Sequence, residues 1–283
     1  MRAIIGIMKK AAILYDFDKT LCTKDMQEYS LIPSLGYESA GDFWNEVNEL
    51  TTRNEMDGIS AYLYMLHKKM KENRIPLTKE SFRHAGEAVE LYPGVMDWFD
   101  RVNEYGMRAG LHVEHFIISS GMAEIIEGTP IKDEFERIYA CRYYYDKKTG
   151  TALWPAQIVN YTTKTQYIFR VNKYVLDVAD DKKLNEYVDQ KDRPVPFSRM
   201  VYVGDGLTDV PCMRLVKEYG GRSIAVYSDK DHKSNAERLM RDGRVNFMCN
   251  ADYSEGSDME KLMFQILDHM KADEALKELE GLR

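Results

Sequence analysis

Four short stretches dominated by apolar residues punctuate the chain: "AAILY" (11–15), "HFIISS" (115–120), "RMVYVG" (199–204) and "RSIAVY" (222–227). None shows the strict alternation of a strand wetted on one face, and each is followed by a Gly or polar turn and then a helical spacing of apolar positions. Runs of this kind read as parallel strands buried on both faces. Strands alternating with helices predict an α/β protein with a doubly wound, Rossmann-like parallel sheet, where ligands sit beyond the carboxyl ends of the strands.

The first two runs are too far apart for a single crossover helix. Residues 25–91 carry three helical patterns, "SAGDFWNEVNELTTRNEM", "GISAYLYMLHKKMKEN" and "TKESFRHAGEAVELY", with Asp42 and the pair Thr78 and Ser81 offering N-cap chemistry near their starts. The expectation is a helical domain inserted at 25–91, with residues 1–24 and 92–283 forming the α/β core and "YPGV" (92–95) turning the chain back to the sheet. Between residues 138 and 160, two β-rich runs flank "DKKTG", a hairpin pattern. "DVADDKKLNEYVDQKDRPVP" (177–196) reads as a solvated helix and loop. The apolar patch of "MRAIIGIMKK" is too short for a signal segment or a membrane span and is expected to lead into the first strand.

Composition narrows the possibilities. With 283 residues, 44% of them hydrophobic, the chain can bury a sizeable core, and a formal net charge of -7 argues against a general nucleic-acid binder. A small anionic substrate would then need local cations. Cys22, Cys141, Cys212 and Cys249 show no metal or disulfide spacing, which points to free thiols in a reducing compartment, the cytoplasm.

The chemistry concentrates at the strand ends. Asp16 and Asp18 follow the first run, Ser119 and Ser120 close the second, and Asp205 and Asp209 lie in "GDGLTD" after the third, while Lys164 begins a helical pattern in "NYTTKTQYIF". Convergence of carboxylates, a hydroxyl and an ammonium on one crevice is the functional expectation. Blander roles compete at each position. A DxD can cap a turn, Asp209 can cap the helix near Pro211, and Cys22 is a small packing residue. His112 and His115 in "HVEH" are expected to point apart along a strand rather than to share a metal.

In this order the residues resemble the haloacid dehalogenase-like (HAD) hydrolases. "DFDKT" is similar to their DxDxT nucleophile motif, Ser119 to their second motif, Lys164 to their third and "GDGLTD" to their GDxxxD motif, over residues 12 to about 228. A helical insertion between the first and second motifs resembles the type C1 cap of the phosphoserine phosphatase branch. The resemblance implies a HAD core carrying a phosphatase that hydrolyses a small phosphorylated metabolite, with no nucleic-acid or membrane partner. Asp16 would be the nucleophile of an aspartyl-phosphate route and Asp18 the general acid and base. Ser119 and Lys164 would hold phosphoryl oxygens, with Thr20, Ser120 and Gly121 beside them. Asp16, the backbone carbonyl of Asp18 and Asp205 would ligate Mg²⁺, and Asp209 would orient its water or Lys164 from behind. Transfer to a second substrate, as in phosphomutases, and phosphate binding without turnover are the alternatives.

A cap of this kind would open and close about passages near Leu21–Lys24 and Tyr92–Gly94. Phosphoserine phosphatases meet the substrate ammonium with an acid shortly after DxDxT and its carboxylate with an arginine. Asp25 or Glu28 would be the acid here, but the helix that should bring the arginine carries His67, Lys68 and Lys69, none of which offers a guanidinium fork. A different small phosphate monoester, lined by Phe43, Tyr62 or Tyr64, is therefore expected to be the better substrate.

Overall fold

The computed structural model describes residues 8–281; of the tail expected over residues 1–10, residues 1–7 lie outside them, and Lys9 and Lys10 belong to the first strand. The strands are β1 (Lys9–Tyr15), β2 (Leu111–Met122), β3 (Arg137–Tyr145), β4 (Ala152–Gln157), β5 (Met200–Gly204), β6 (Arg222–Tyr227) and β7 (Phe247–Asn250). They form one sheet in the order β4-β3-β2-β1-β5-β6-β7. Every neighbouring pair is parallel except β3 and β4. The sheet is thus the doubly wound one expected, with the hairpin added at one edge: β3 belongs to the parallel set and β4 folds back along it.

Helices of eight or more residues are α1 (Ala40–Asn54), α2 (Gly58–Glu72), α3 (Lys79–Gly86), α4 (Val95–Arg108), α5 (Lys164–Lys173), α6 (Val210–Glu218), α7 (Lys230–Arg241) and α8 (Asp258–Gly281). The apolar run at 11–15 is buried throughout because helices cover the sheet. The stripe Val95, Trp98, Phe99 and Val102 seats α4 on β2, while α6 packs on β5 and β6. No helix among the described residues is long and apolar enough to cross a membrane. All four cysteines are free and buried.

A buried polar chain ties β1, β2 and α4 together. Trp98 Nε1 donates to Tyr15 Oη at 2.9 Å, and that hydroxyl lies 3.1 Å from His115 Nδ1, whose ring reaches Asn103 Oδ1 through Nε2 at 3.1 Å. One assignment satisfies every atom: Tyr15 donates to Nδ1, and a neutral His115 donates from Nε2. Burial depresses the His115 pKa to about 3. His112 instead lies half-buried beside Glu114 at 3.3 Å, so the two histidines point apart as expected.

This chain has a pH signature. An unfolded histidine takes up a proton below about pH 6.5, whereas the folded one does not until about pH 3, so folding is penalised as pH falls through that window. The stability advantage of the wild type over His115→Asn is expected to shrink by about 2 kcal/mol between pH 7 and pH 5. Urea unfolding of both proteins at the two pH values checks it; a pH-independent difference would refute a neutral buried imidazole.

Three of the helices, α1 to α3, lie within residues 25–91, between β1 and α4. The chain enters and leaves it through adjacent passages: Thr23 N donates to Glu90 O and Tyr92 N to Leu21 O, both at 3.0 Å. Thr78 caps α3 in a reciprocal box with Ser81, as expected. At α1 the cap is Ser39, which accepts from Asp42 N at 3.2 Å; Asp42 sits three residues further on, and its carboxylate accepts from Ser39 Oγ at 2.9 Å. The third helix stops at Gly86, short of the pattern that ran to Tyr92. There α3 meets the turn after β2 so closely that a Cβ on Gly86 would lie 2.1 Å from Ile125 O, and one on Gly128 would lie 1.9 Å from Arg83 O. The hairpin also reaches this segment, through Ala152 N to Leu77 O in the connection before α3 and Tyr143 Oη to Leu63 O on α2, both 2.6 Å.

Candidate active site

Asp16 is the first residue beyond β1, held level with β5 by its N–H bond to Val203 O at 2.9 Å. Its Oδ1 accepts from Phe17 N at 2.8 Å and its Oδ2 lies 2.9 Å from Lys164 Nζ. Lys164 opens α5 and is fully buried; its ammonium also donates to Asp209 Oδ1 at 2.7 Å. Asp209 occupies the position before α6, yet its side chain makes no cap bond to that helix. Its Oδ1 accepts from Tyr202 Oη at 2.7 Å as well, and its Oδ2 from Gly206 N at 3.3 Å. The carboxylate of Asp209 therefore fixes Lys164 against Asp16.

The electrostatics follow from this packing. Burial opposes the Lys164 charge, but Asp16 and Asp209 hold its ammonium above the ordinary lysine range. Asp16 is pushed up to about 7 by burial and then by the charge of Asp209, against the pull of Lys164. Asp205 is raised well above the carboxylate range by burial, then by Asp209 and Asp16. Asp16, Asp205 and Asp209 each offer an oxygen within 4.8 Å of the others. Asp209 is already engaged by Lys164 and Tyr202, which leaves Asp16 and Asp205 facing the cavity. Hard oxygen donors with surplus negative charge suit a small divalent cation.

Asp18 differs from its neighbours. Its Oδ1 accepts from Met26 N at 2.7 Å. Its Oδ2 lies beside Gly121, where an added Cβ would press on it at 3.0 Å and on the end of the Met26 side chain. Burial, followed by the charges of Asp25 and Asp16, raises the Asp18 carboxyl well above its usual range and favours the protonated acid.

The other expected phosphate contacts divide. Ser119 is fully buried and its Oγ accepts from Gly121 N at 3.0 Å, leaving its own hydrogen free to donate. Ser120 and Gly121 line the cavity, and Ser120 Oγ has no partner. Thr20, like Ser119 and Lys164, is fully buried and does not line the cavity; its carbonyl accepts from Tyr253 Oη at 2.8 Å, while its Oγ1 has no partner.

The cavity has a volume of about 430 Å³ and lies between the strand ends, with Asp16, Asp18 and Asp205, and the helical segment, with Asp25, Trp44 and Tyr62. Asp25 and Tyr62 are thus where the sequence led us to expect them. Glu28, Phe43 and Tyr64 are not. Glu28 turns its Oε1 to Trp44 Nε1 at 3.1 Å. Phe43 is fully buried, edge-on to Tyr37 and Trp44. Tyr64, two residues from Tyr62, lies about 200° round the helix and is exposed in a separate groove with Trp154. His67, Lys68 and Lys69 also miss the cavity, and Lys69 pairs with Glu46 at 2.8 Å. Gln27, Trp44, Asn48 and Ile59 line it without having been singled out. The one available signal was helical spacing, since Trp44 and Asn48 are four apart on α1.

Comparison with known proteins is consistent with this arrangement. The haloacid dehalogenase-like hydrolase family matches residues 13–214. An uncharacterized protein of Borreliella burgdorferi is 26% identical over 277 residues, covering 88% of this chain and 93% of that protein. Among solved structures, a HAD family hydrolase from Salmonella enterica serovar Typhi is similar with a TM-score of 0.55 at 16% identity, over 92% of this chain and 72% of that one. A substrate-bound phosphoserine phosphatase is similar with a TM-score of 0.53 at 14% identity, over 90% of this chain and 97% of that one. At these identities the structural likenesses speak to the fold alone.

Proposed function

Because the chain belongs to the haloacid dehalogenase-like hydrolase family, we propose that it is a Mg²⁺-dependent phosphatase that hydrolyses a small phosphate monoester through an aspartyl phosphate on Asp16. The observation that carries this reading is the buried Lys164 bridging Asp16 and Asp209, directly behind a cavity that also receives the acid-biased Asp18. An ammonium so placed binds phosphoryl oxygens and screens them from the attacking carboxylate.

In the first step a carboxylate oxygen of Asp16 forms a bond to phosphorus as the ester oxygen leaves, and Asp18 gives that oxygen its proton. In the second step Asp18, now ionised, takes a proton from a water whose oxygen attacks the phosphorus of the aspartyl phosphate. Inorganic phosphate departs and Asp16 is restored. Proton transfer by a positioned group is worth about 10²–10⁴-fold. The hydroxyl hydrogen of Ser119 and the unpartnered Ser120 Oγ supply further contacts for the phosphoryl oxygens. Asp16, Asp205 and the Asp18 carbonyl would hold Mg²⁺, which, when bound, neutralises the phosphoryl charge against these carboxylates.

In this reading residues 25–91 form a cap that supplies the wall around the leaving group, and the enzyme works on a metabolite in the cytoplasm. Hydrolysis of a chromogenic aryl phosphate with and without Mg²⁺ tests it. We expect turnover with the metal and a loss of about a hundredfold or more after chelation. Undiminished turnover in chelator would overturn the metal assignment, and no turnover at all the phosphatase reading.

A further inference from the structure

Asp25 and Lys19 face the cavity together, and neither is free. Lys19 Nζ donates to Asp25 Oδ2 at 2.8 Å, with side-chain exposures of 33% and 25%, so the pair is partly shielded from water. Its location is fixed by the acid beside it. Lys19 directly follows Asp18 and holds a left-handed backbone at φ 54°. Asp25 directly precedes Met26, whose N–H grips Asp18 Oδ1 at 2.7 Å. The two charges therefore lie next to the group proposed to protonate the leaving oxygen, where the first atoms of the leaving group must pass. Asp25 makes no capping bond to the backbone that follows it, so Lys19 is its principal partner.

Resting on the phosphatase reading above, we infer that Lys19 and Asp25 form an internal charge pair that sets selectivity for an uncharged, hydroxylated leaving group. A substrate ammonium would have to displace Lys19 from Asp25, and a substrate carboxylate would have to displace Asp25 from Lys19. Among the described residues, Lys19 is the sole cationic side chain on the cavity wall. Glu28, the remaining acid of this corner, turns its Oε1 to Trp44 and does not line the cavity, although its charge still acts on both Asp25 and Lys19.

The rest of the wall fits a neutral alcohol. Gln27 is 2% exposed and donates through Nε2 to Tyr62 Oη at 2.8 Å, while its Oε1 has no partner and can accept one hydroxyl hydrogen. Asn48 adds a second amide, and Trp44 and Tyr62, with ring centroids 5.6 Å apart, give an apolar face. Hydroxyls on one side and a flat carbon face on the other are the chemistry these groups recognise.

Three esters of nearly equal size isolate the charge: 2-hydroxyethyl phosphate, phosphoethanolamine and phosphoglycolate. For the wild type we expect kcat/KM to favour the hydroxyl ester over either charged one by about tenfold, the scale of a partly screened charge contact. Lys19→Gln should raise the phosphoethanolamine-to-hydroxyethyl ratio by about tenfold, and Asp25→Asn the phosphoglycolate-to-hydroxyethyl ratio similarly. The double variant should return both ratios towards wild type. Each ratio is taken within one enzyme preparation, so partial unfolding cancels. Ratios unchanged in both single variants, with wild-type hydrolysis of an aryl phosphate intact, would overturn this inference alone. No wild-type hydrolysis of the aryl ester would overturn the phosphatase reading and this inference with it.

Discussion

Asp16→Asn is expected to lower kcat for any phosphate ester by about 10⁴-fold or more, the scale seen when a covalent nucleophile is removed. The change keeps the side-chain volume and deletes the attacking charge. It should cost little stability in the metal-free protein, because burial and the nearby Asp209 already disfavour ionised Asp16 and push its pKa up to about 7. Asn can still accept from Phe17 N as Asp16 does at 2.8 Å, and Lys164 keeps Asp209 at 2.7 Å. Steady-state kinetics beside a thermal melt separate the two effects. A variant that folds and turns over within tenfold of wild type would end the nucleophile assignment.

Lys164→Met should damage the fold as well as the activity. The ammonium is fully buried and meets Asp16 at 2.9 Å and Asp209 at 2.7 Å. Its removal leaves Asp209, also fully buried, with only Tyr202 and Gly206 as donors. Leaving a buried charge without its partner costs about 3–5 kcal/mol, a fall in Tm on the order of 10 °C for a domain of this size. The loss should be larger at pH 8 than at pH 5 in chelator. Asp16, held up to about 7, is largely ionised at the higher pH and largely protonated at the lower, where Lys164 has one fewer charge to balance. Lys164→Met/Asp209→Asn should recover part of the stability, since the stranded charge is gone. Melts of the three proteins at both pH values decide it, and a Lys164→Met shift no larger than that of an exposed lysine would contradict the bridging role.

Much of the core site was legible because its residues sit at fixed offsets from apolar strands. A run buried on both faces, such as residues 11–15, has little choice but to be a central strand, and the residue after its end, Asp16, must emerge at the carboxyl edge. The helical wall contributed by residues 25–91 was harder to read because a helix carries no mark of which face meets a cavity. Phe43 and Trp44 are neighbours of similar character, yet packing against Tyr37 buries the first while the second reaches the cavity. Tyr62 and Tyr64 were equally plausible until α2 was seated. Asp42 lies three residues past the actual cap, Ser39, and competed with it because both bear oxygens suited to the task. At four residues β7 is too short to show a period, and Thr20 gave no sign that its loop folds over Tyr253. The Lys19–Asp25 pair was hidden for a related reason: its partners are close in sequence, but only the left-handed turn at Lys19 and the grip of Met26 on Asp18 bring them together.

The central claim is a covalent phosphoryl group on Asp16, and mass spectrometry of acid-quenched protein after brief exposure to an aryl phosphate and Mg²⁺ tests it most directly. The protein to use is Asp18→Asn. A good leaving group departs without an acid, but the water that should cleave the intermediate then lacks its base, so the phosphoenzyme accumulates. The account predicts one added phosphoryl group on the peptide containing Asp16. Turnover of the ester by the wild type, with no phosphoryl group on that peptide in either protein, would contradict it.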